Sequence, residues 1–279
     1  MLKWKIGEVT VTQFVEMTPP PAPIIPDATP EALANMPWVK PFLDENNHPR
    51  MNIQMMIIET PDQKLVVDTC VGNDKQINME GWSNMQLPFI ENLESAGHHP
   101  DSVDTVICTH LHVDHVGWNT RKMNGAWVPT FNNARYLAVK EEFEFWRDLE
   151  HDPYGPMFDE SIRPVYEAGQ IDVVQNNHQV SNEVWFESTP GHTPGHVSVH
   201  ISSGNEHAII TGDVMHHPCQ VGQPDWATPF DVDEEKARQT RWKFLDRYAD
   251  EPVLILGTHF PDPVSGKITR DGDTYRFDH

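Results

Sequence analysis

The chain has 279 residues, a formal net charge of −22 at pH 7 and a hydrophobic fraction of 38%. This length is enough for a large buried core, so we expect a single domain over residues 1–279. The acidic balance argues against nucleic acids and anionic membrane surfaces as partners, because both attract basic protein surfaces. The sequence has no run of about 18 apolar residues and therefore predicts no membrane-spanning helix.

The three cysteines, Cys70, Cys108 and Cys219, are odd in number, widely spaced and without a C-x-x-C pair. This usage favours reduced thiols over a disulfide framework. The N-terminal segment also lacks the apolar stretch of a secretory signal. We therefore expect a cytoplasmic protein in which Cys108 is a small core residue. Cys219 is expected to lie near the active site without binding metal.

The apolar pattern predicts strands and helices in an alternating order. Runs rich in β-branched residues predict strands at residues 9–15, 51–59, 64–68, 103–109, 184–187, 197–201, 207–211 and 253–256. Helical spacing predicts helices at 87–96 and 139–149, and Asp231 with Glu234 resembles a capping box that opens a third helix. The order of strands and then a helix occurs twice along the chain. It predicts a layered α/β fold of two similar halves.

Residues 18–50 depart from regular structure. They contain nine prolines, with Met36, Trp38 and Phe42 interspersed among them. Apolar and aromatic residues are too frequent here for a purely solvated linker. The composition predicts a proline-stiffened arm that packs over the domain and either roofs the active site or reaches a second subunit. The arm is thus the candidate contact for a homodimer.

Four metal-binding side chains fall within the six residues His110-Leu-His-Val-Asp-His115, directly after the strand predicted at 103–109. Alternate residues of an extended segment point the same way, so His110 and His112 can share one metal ion. Asp114 and His115 are offset from that pair and can reach a neighbouring ion. The same residue types recur downstream in Thr-Pro-Gly-His-Thr-Pro-Gly-His at 189–196, Thr-Gly-Asp at 211–213 and Gly-Thr-His at 257–259.

These four segments, in this order and at these intervals, resemble the metallo-β-lactamase superfamily. The resemblance covers roughly residues 51–270 and includes Lys64–Thr69, which is similar to the family's strand followed by an aspartate. It implies the four-layer αββα sandwich of that family, in the α/β class, with two metal ions at one edge.

The resemblance also implies which residues bind the metals. The ligands it implies are His110, His112 and His192 for one ion, Asp114, His115 and His259 for the second, and Asp213 as the bridge between them. Of the two histidines in the Gly-His repeat, the family pattern points to His192 and leaves His196 as a neighbour. Asp68 is expected to orient ligands from behind.

Imidazole and carboxylate ligands suit zinc, with manganese, cobalt or iron as alternatives. Seven protein ligands for two ions leave coordination positions open, which is typical of catalytic sites. A bound divalent ion lowers the pKa of its water from 15.7 to about 7 and polarises a substrate oxygen. The predicted cofactors are therefore two zinc ions in a hydrolase.

Two residues are candidates for catalysis beyond metal binding. Asp114 is the expected proton carrier toward the leaving oxygen. His216 lies three residues after Asp213, where related lactonases often carry a tyrosine that touches the substrate carbonyl. A histidine there either polarises the carbonyl or only lines the pocket, and the sequence leaves both readings open.

Within the superfamily, the chain is most similar to the lactonase and methyl-parathion-hydrolase-like branch. The similarity lies in the proline-rich arm, the segment Asp213-Val-Met-His216 and the C-terminal residues 266–277. We predict hydrolysis of a small neutral ester, a lactone first, by attack of a metal-bridging hydroxide. Phosphotriester or aryl-ester hydrolysis is the alternative within the same chemistry. An iron-dependent oxidoreductase similar to persulfide dioxygenases is the alternative from another class. Glyoxalase II is disfavoured, because Gly117-Trp118 replaces its Gly-Gly and no basic tail is present.

Overall fold

A computed structural model describes residues 1–279. The chain folds into two compact units. The first unit comprises Met1–Glu16 and Ile53–Gln175, and the second comprises Met17–Asn52 and Asn176–His279.

The strands, in chain order, are β1 (Lys3–Ile6), β2 (Val9–Met17), β3 (Ile53–Glu59), β4 (Lys64–Val67), β5 (Thr105–Ile107), β6 (Thr120–Met123), β7 (Ala126–Pro129), β8 (Arg135–Val139), β9 (Ile171–Val174), β10 (Val184–Ser188), β11 (Val197–Ser203), β12 (Glu206–Ile210), β13 (Val253–Leu256), β14 (Ser265–Asp271) and β15 (Thr274–Asp278). The helices are α1 (Pro30–Leu33), α2 (Phe89–Ser95), α3 (Val113–Val116), α4 (Lys140–Asp148), α5 (Arg163–Glu167), α6 (Cys219–Gly222) and α7 (Glu234–Tyr248). No helix combines the length and apolar composition needed to cross a membrane.

The first unit is built on a seven-stranded sheet in the order β1-β2-β3-β4-β5-β8-β9. Strands β4, β5, β8 and β9 run parallel to one another, whereas β3 pairs with β4 antiparallel. Strands β3 and β4 are buried on both faces apart from one end of each, as in sheets covered on both sides. Because β4 and β5 are parallel, the residues that follow them, Asp68 and then His110, lie at the same edge of this sheet.

The second unit is likewise built on one sheet, which has six strands in the order β10-β11-β12-β13-β14-β15. Strands β11 and β12 are antiparallel, and β12 and β13 are parallel. Asp213 follows β12 and His259 follows β13, so these two residues share one sheet edge. In each unit, residues of the predicted site follow two neighbouring parallel strands of the sheet. This agrees with the two similar halves that the sequence predicts.

The strands predicted before position 110 and between 184 and 256 are confirmed to within a few residues, as are helices α2 and α4. The strand predicted at 103–109 is shorter than expected, because β5 ends at Ile107. His112 is extended and caps α3, whose first turn contains Asp114 and His115. A change from extended chain to helix therefore gives the offset between the two pairs of the metal motif.

The predicted capping box at Asp231 is wrong. Helix α7 begins at Glu234, and its N-cap is Asp233, whose side chain accepts a hydrogen bond from the Lys236 backbone N–H. The side chain of Asp231 is fully buried and bonds His192 instead. Two aspartates two residues apart both suit an N-cap, and a tertiary contact decides between them.

The proline-rich arm packs on the second unit, of which it is part. It contains α1 and a 3-10 helix at Pro37–Phe42. Its buried residues Ile25, Ala28, Leu33, Met36 and Val39 form one cluster with Cys219. Cys219 is therefore a core residue beneath the arm, and burial raises the pKa of its thiol. The role of the arm in a homodimer stays a prediction.

Lys75 is a buried cation of the first unit, and it gives a pH-dependent prediction. Its ammonium donates to Thr120 Oγ1 at 2.6 Å and to the Glu160 carbonyl at 3.1 Å, and it lies 3.7 Å from the centre of the Trp127 ring. Burial lowers the pKa of Lys75 from 10.5 to about 7. Between these two values the unfolded chain binds more protons than the folded chain, so this group makes stability rise with pH.

We expect the free energy of unfolding of the wild type to increase relative to that of Lys75→Met as the pH rises from 7 to 10. Lost hydrogen bonds add a constant offset, so the slope of this difference is the informative quantity. Urea unfolding at several pH values measures it. Lys140→Met is the matched control, because its side chain is 53% exposed. If the difference in free energy of unfolding between the wild type and Lys75→Met stays constant or falls as the pH rises, burial does not lower the pKa of Lys75.

Candidate metal centre

The loop after β5 brings together the first pair of predicted ligands. His110 and His112 are both buried, and His110 Nε2 lies 3.0 Å from His112 Nδ1. Neighbouring nitrogens of a tetrahedral zinc site with zinc–nitrogen distances of about 2.05 Å are about 3.3 Å apart. The two rings are therefore spaced as ligands of one ion are spaced.

Asp68 orients the next histidine of this loop, as the sequence predicts. Asp68 is held in the left-handed backbone region, with φ 55°, directly after β4. Its Oδ2 lies 2.9 Å from His115 Nδ1, and its Oδ1 accepts the Thr109 backbone N–H at 2.8 Å. A hydrogen on Nδ1 leaves the Nε2 lone pair for a metal. That Nε2 lies 3.6 Å from Asp114 Oδ1, which makes His115 and Asp114 the second close pair of the loop.

Glu142 on α4 also holds the metal loop, and the sequence analysis missed it. Its carboxylate is buried and accepts the Leu111 backbone N–H at 3.0 Å and Trp146 Nε1–H at 2.7 Å. The Trp146 ring in turn lies 5.3 Å from the ring of His112. A signal was present, because Glu142 falls on the apolar face of the predicted helix beside Phe143. A carboxylate at a core position indicates a buried hydrogen-bond acceptor.

Glu16 at the end of β2 is a second missed carboxylate of the first unit. It accepts the backbone N–H groups of Val71 and Gly72 and the Trp118 Nε1–H. Burial raises the pKa of Glu16, which these three hydrogen bonds oppose. The side chain thereby ties the loop after Asp68 to the segment after the metal motif.

In the second unit three imidazoles converge on one oxygen of Asp213. Its Oδ2 lies 3.4 Å from His192 Nε2, 3.2 Å from His216 Nε2 and 3.2 Å from His259 Nε2. All four side chains are buried. The ligand atoms of His192, Asp213 and His216 all lie within 4.8 Å of one another. These separations again match neighbouring ligands of a metal ion.

Two of these imidazoles have a partner that fixes their tautomer. His259 Nδ1 lies 2.9 Å from the carbonyl oxygen of Asn52, and His192 Nδ1 lies 2.8 Å from Asp231 Oδ1. Both partners are acceptors, so each Nδ1 carries the hydrogen and each Nε2 presents its lone pair toward Asp213. Metal-binding histidines are usually held in this way.

His196, the second histidine of the repeat, has both ring nitrogens engaged with the protein. Its Nδ1 lies 3.0 Å from the Thr189 carbonyl oxygen, and its Nε2 accepts the Asp213 backbone N–H at 2.7 Å. The close approach requires Gly212, which has φ +55°, because a Cβ at that position would lie 2.5 Å from His196 Nε2. His196 thus positions the backbone of Asp213.

His216 lies in the same cluster as the predicted ligands. Its ring stacks on His259 with an interplanar angle of 5°, and its Nδ1 has no hydrogen-bond partner. Its backbone N–H donates to Gln220 Oε1 at 2.7 Å, which fixes the loop that carries it. The sequence leaves open whether this residue contacts the substrate carbonyl or only lines the pocket, and the structure places it among possible metal-binding atoms.

The donor set suits divalent metal ions. In each unit, imidazole and carboxylate atoms that water would normally solvate are buried and directed at one another. A divalent cation would satisfy both the nitrogen lone pairs and the carboxylate charges, which explains why so many acceptors are gathered. The seven predicted ligands thus form two groups: His110, His112, Asp114 and His115 in the first unit, and His192, Asp213 and His259 in the second.

The family model of the metallo-beta-lactamase superfamily matches residues 49–259, about three quarters of the chain. The chain therefore belongs to the metallo-beta-lactamase superfamily. This membership confirms the predicted family, its mixed α/β fold class and the predicted enzyme class, a metal-dependent hydrolase. No curated protein sequence matches the chain.

Solved structures of similar fold include several hydrolases. AidC, a dizinc quorum-quenching lactonase in complex with a product, has a TM-score of 0.80 at 22% identity, with 99% of this chain and 96% of that chain covered. The hydrolase AbOPH of the beta lactamase superfamily has a TM-score of 0.80 at 23% identity, with the same coverage. An N-acyl homoserine lactone hydrolase with N-hexanoyl-L-homoserine bound at its catalytic metal centre has a TM-score of 0.63 at 19% identity, with 92% and 94% covered.

Proposed function

We propose that the chain is a cytoplasmic di-zinc hydrolase of small neutral esters, and of lactones in particular. The observation that carries the proposal is the convergence of three imidazoles on Asp213 Oδ2, within 3.4 Å. Two of the solved structures of similar fold are a lactonase and an N-acyl homoserine lactone hydrolase. N-acyl homoserine lactones are therefore the first lactones to test.

The proposed ligands are His110, His112, Asp114, His115, His192, Asp213 and His259. Zinc bound by them would supply a water of lowered pKa and polarise the carbonyl oxygen of the ester. The protein supplies the alignment, because Asp68, Asp231 and the Asn52 carbonyl each fix one imidazole. Asp114, with a side chain 16% exposed, is the least buried of the predicted ligands and the proposed carrier of a proton to the leaving alkoxide.

His216 is the proposed contact for the substrate carbonyl. Its buried Nδ1 has no hydrogen-bond partner within the chain, so this ring nitrogen is the proposed donor to the carbonyl oxygen. A donor at this position would stabilise the charge that develops on the carbonyl oxygen during attack.

Substrate choice gives the test of the proposal. The net charge of −22 repels anions at a distance, so neutral substrates should be favoured over anionic ones. We expect kcat/KM for a lactone or aryl ester to exceed that for a glutathione thioester or a phosphodiester by at least about a hundredfold, or roughly 2.7 kcal/mol in barrier.

Initial rates for the four substrate classes, measured at one ionic strength with zinc-loaded protein, decide this point. The matched control repeats the comparison at high salt, where long-range repulsion is screened and only contacts within the site discriminate. A preference for the thioester or the phosphodiester under both conditions would overturn the lactonase proposal.

A further inference from the structure

A buried ion pair stands behind the metal ligands of the second unit. The carboxylate of Asp231 is fully buried, and its Oδ1 lies 2.8 Å from His192 Nδ1. Its other oxygen, Oδ2, lies 4.0 Å from Nη2 of Arg241, whose side chain is also fully buried. Successive contacts thus connect the proposed ligand His192 to Asp231, and Asp231 to Arg241.

The backbone around Asp231 holds the same histidine. The Val232 N–H donates to the His192 carbonyl at 2.9 Å, and the Asp233 N–H donates to the Gly191 carbonyl at 3.0 Å. Gly191 has φ +135°, and a Cβ there would lie 2.3 Å from the backbone nitrogen of Ala237 in α7. The His192 loop is therefore joined to the start of α7 by backbone hydrogen bonds and by the Asp231 side chain.

Arg241, two turns into α7, contacts the loop of the other central ligand. Its Nε donates to the carbonyl of Val214, the residue after Asp213, at 2.7 Å. Its Nη1 donates at 2.8 Å to the carbonyls of both Pro224 and Trp226. One guanidinium therefore joins the Asp213 loop, the 224–226 segment and the carboxylate that bonds His192.

A buried ion pair of this kind adds little net stability to a fold. Burying a guanidinium and a carboxylate costs several kcal/mol per ion, and an apolar pair of similar volume is often as stable. Arg241 Nη2 makes no hydrogen bond, and 4.0 Å is long for an ion pair. A planar guanidinium can donate at fixed angles to the carbonyls of Val214, Pro224 and Trp226, which an apolar side chain cannot do.

We propose that Asp231 and Arg241 are positioning residues that set the metal affinity of the second unit. Asp231 fixes the tautomer and ring orientation of His192, and Arg241 holds Asp231 and the backbone after Asp213 in register. The inference rests on the proposed metal centre and adds two residues that touch neither metal nor substrate.

Zinc titration of the full-length protein against a chromophoric chelator tests the inference. We expect Asp231→Ala to weaken binding of at least one zinc equivalent by about 10- to 100-fold, the usual effect of losing a partner of a metal-binding histidine. Asp231→Asn should lose less, since its amide oxygen still accepts the His192 Nδ1 hydrogen. Arg241→Lys should lose about tenfold, because it keeps the charge but not the fork.

The matched control is Glu235→Gln, an exposed carboxylate in the first turn of α7 that accepts a hydrogen bond from Gln239 Nε2. It should bind zinc as the wild type does. Thermal unfolding of the metal-free proteins separates loss of affinity from loss of fold, and the near-isosteric Asp231→Asn keeps the test decisive if Asp231→Ala unfolds. Wild-type zinc affinity in both Asp231 variants would overturn the inference.

The failure of the proposed function has a different signature. A wild-type chain that binds two zinc ions but does not hydrolyse lactones would overturn the substrate assignment, while the affinity ranking of the variants still decides the role of Asp231. A wild-type chain that binds no zinc would overturn both.

Discussion

Replacement of Asp213 by alanine should abolish hydrolysis and remove at least one metal equivalent from the protein. One carboxylate oxygen of Asp213 faces three imidazole nitrogens at 3.2 to 3.4 Å, so its loss removes the group that the other donors surround. Since the proposed nucleophile exists only through bound metal, we expect a fall in kcat/KM of at least about 10⁴-fold. Chelation of the wild type should have the same effect, and zinc, manganese or cobalt should restore activity.

Elemental analysis of the purified protein, together with activity before and after chelation, measures this. Asp246→Ala is the control, because its side chain is 67% exposed and bonds only Arg270 and Tyr275. Two zinc ions per chain support the hydrolase. A single iron per chain would instead contradict the di-zinc assignment. Full turnover by metal-free Asp213→Ala would contradict metal-dependent chemistry altogether.

The sequence predicted the ligand-bearing loops well because each follows a strand with a strong apolar signal. Strands β4, β5, β12 and β13 each end in apolar and β-branched residues, and a short polar segment follows each of them. Parallel pairing of β4 with β5 and of β12 with β13 places these segments at a sheet edge. Local pattern and a general rule of sheet geometry were sufficient there.

The residues behind the ligands were not predictable in the same way. The sequence predicts a helix cap at Asp231 and no role for Glu142 or Arg241. Each acts through a partner far away in sequence: Asp231 contacts His192 across 39 positions, and Glu142 contacts Leu111 across 31. Hydrophobic periodicity identifies the face of a helix that is buried but not the polar group that a buried carboxylate meets.

Two of the hairpins that were missed have turns with clear local signals. Strands β6 and β7 are joined through Asn124 and Gly125, both with positive φ, which is the preferred sequence of a tight hairpin turn. Strands β14 and β15 are joined through Gly272 and Asp273. The short, partly exposed strands of the first hairpin contain Arg121 and Lys122, which weakened the apolar alternation used to find strands.

The two histidines of the Gly-His repeat should behave differently when replaced by alanine. His192→Ala removes an imidazole whose Nε2 lies 3.4 Å from Asp213 Oδ2, so we expect it to lose close to one metal equivalent and nearly all activity. His196 has its Nδ1 beside Thr189 and its Nε2 on the Asp213 backbone, so its lone pair is already used within the protein. His196→Ala should therefore retain most of the metal.

The cost of His196→Ala should be a loss of stability. It leaves the buried Asp213 N–H without its acceptor, for which we expect about 1 to 3 kcal/mol of destabilisation. Metal content by elemental analysis and stability by urea unfolding separate the two roles, and His196→Gln, which keeps an acceptor near the same N–H, should recover part of the stability. If metal content instead falls with His196→Ala and survives His192→Ala, the register of the repeat is reversed and His196 takes the place of His192 among the ligands.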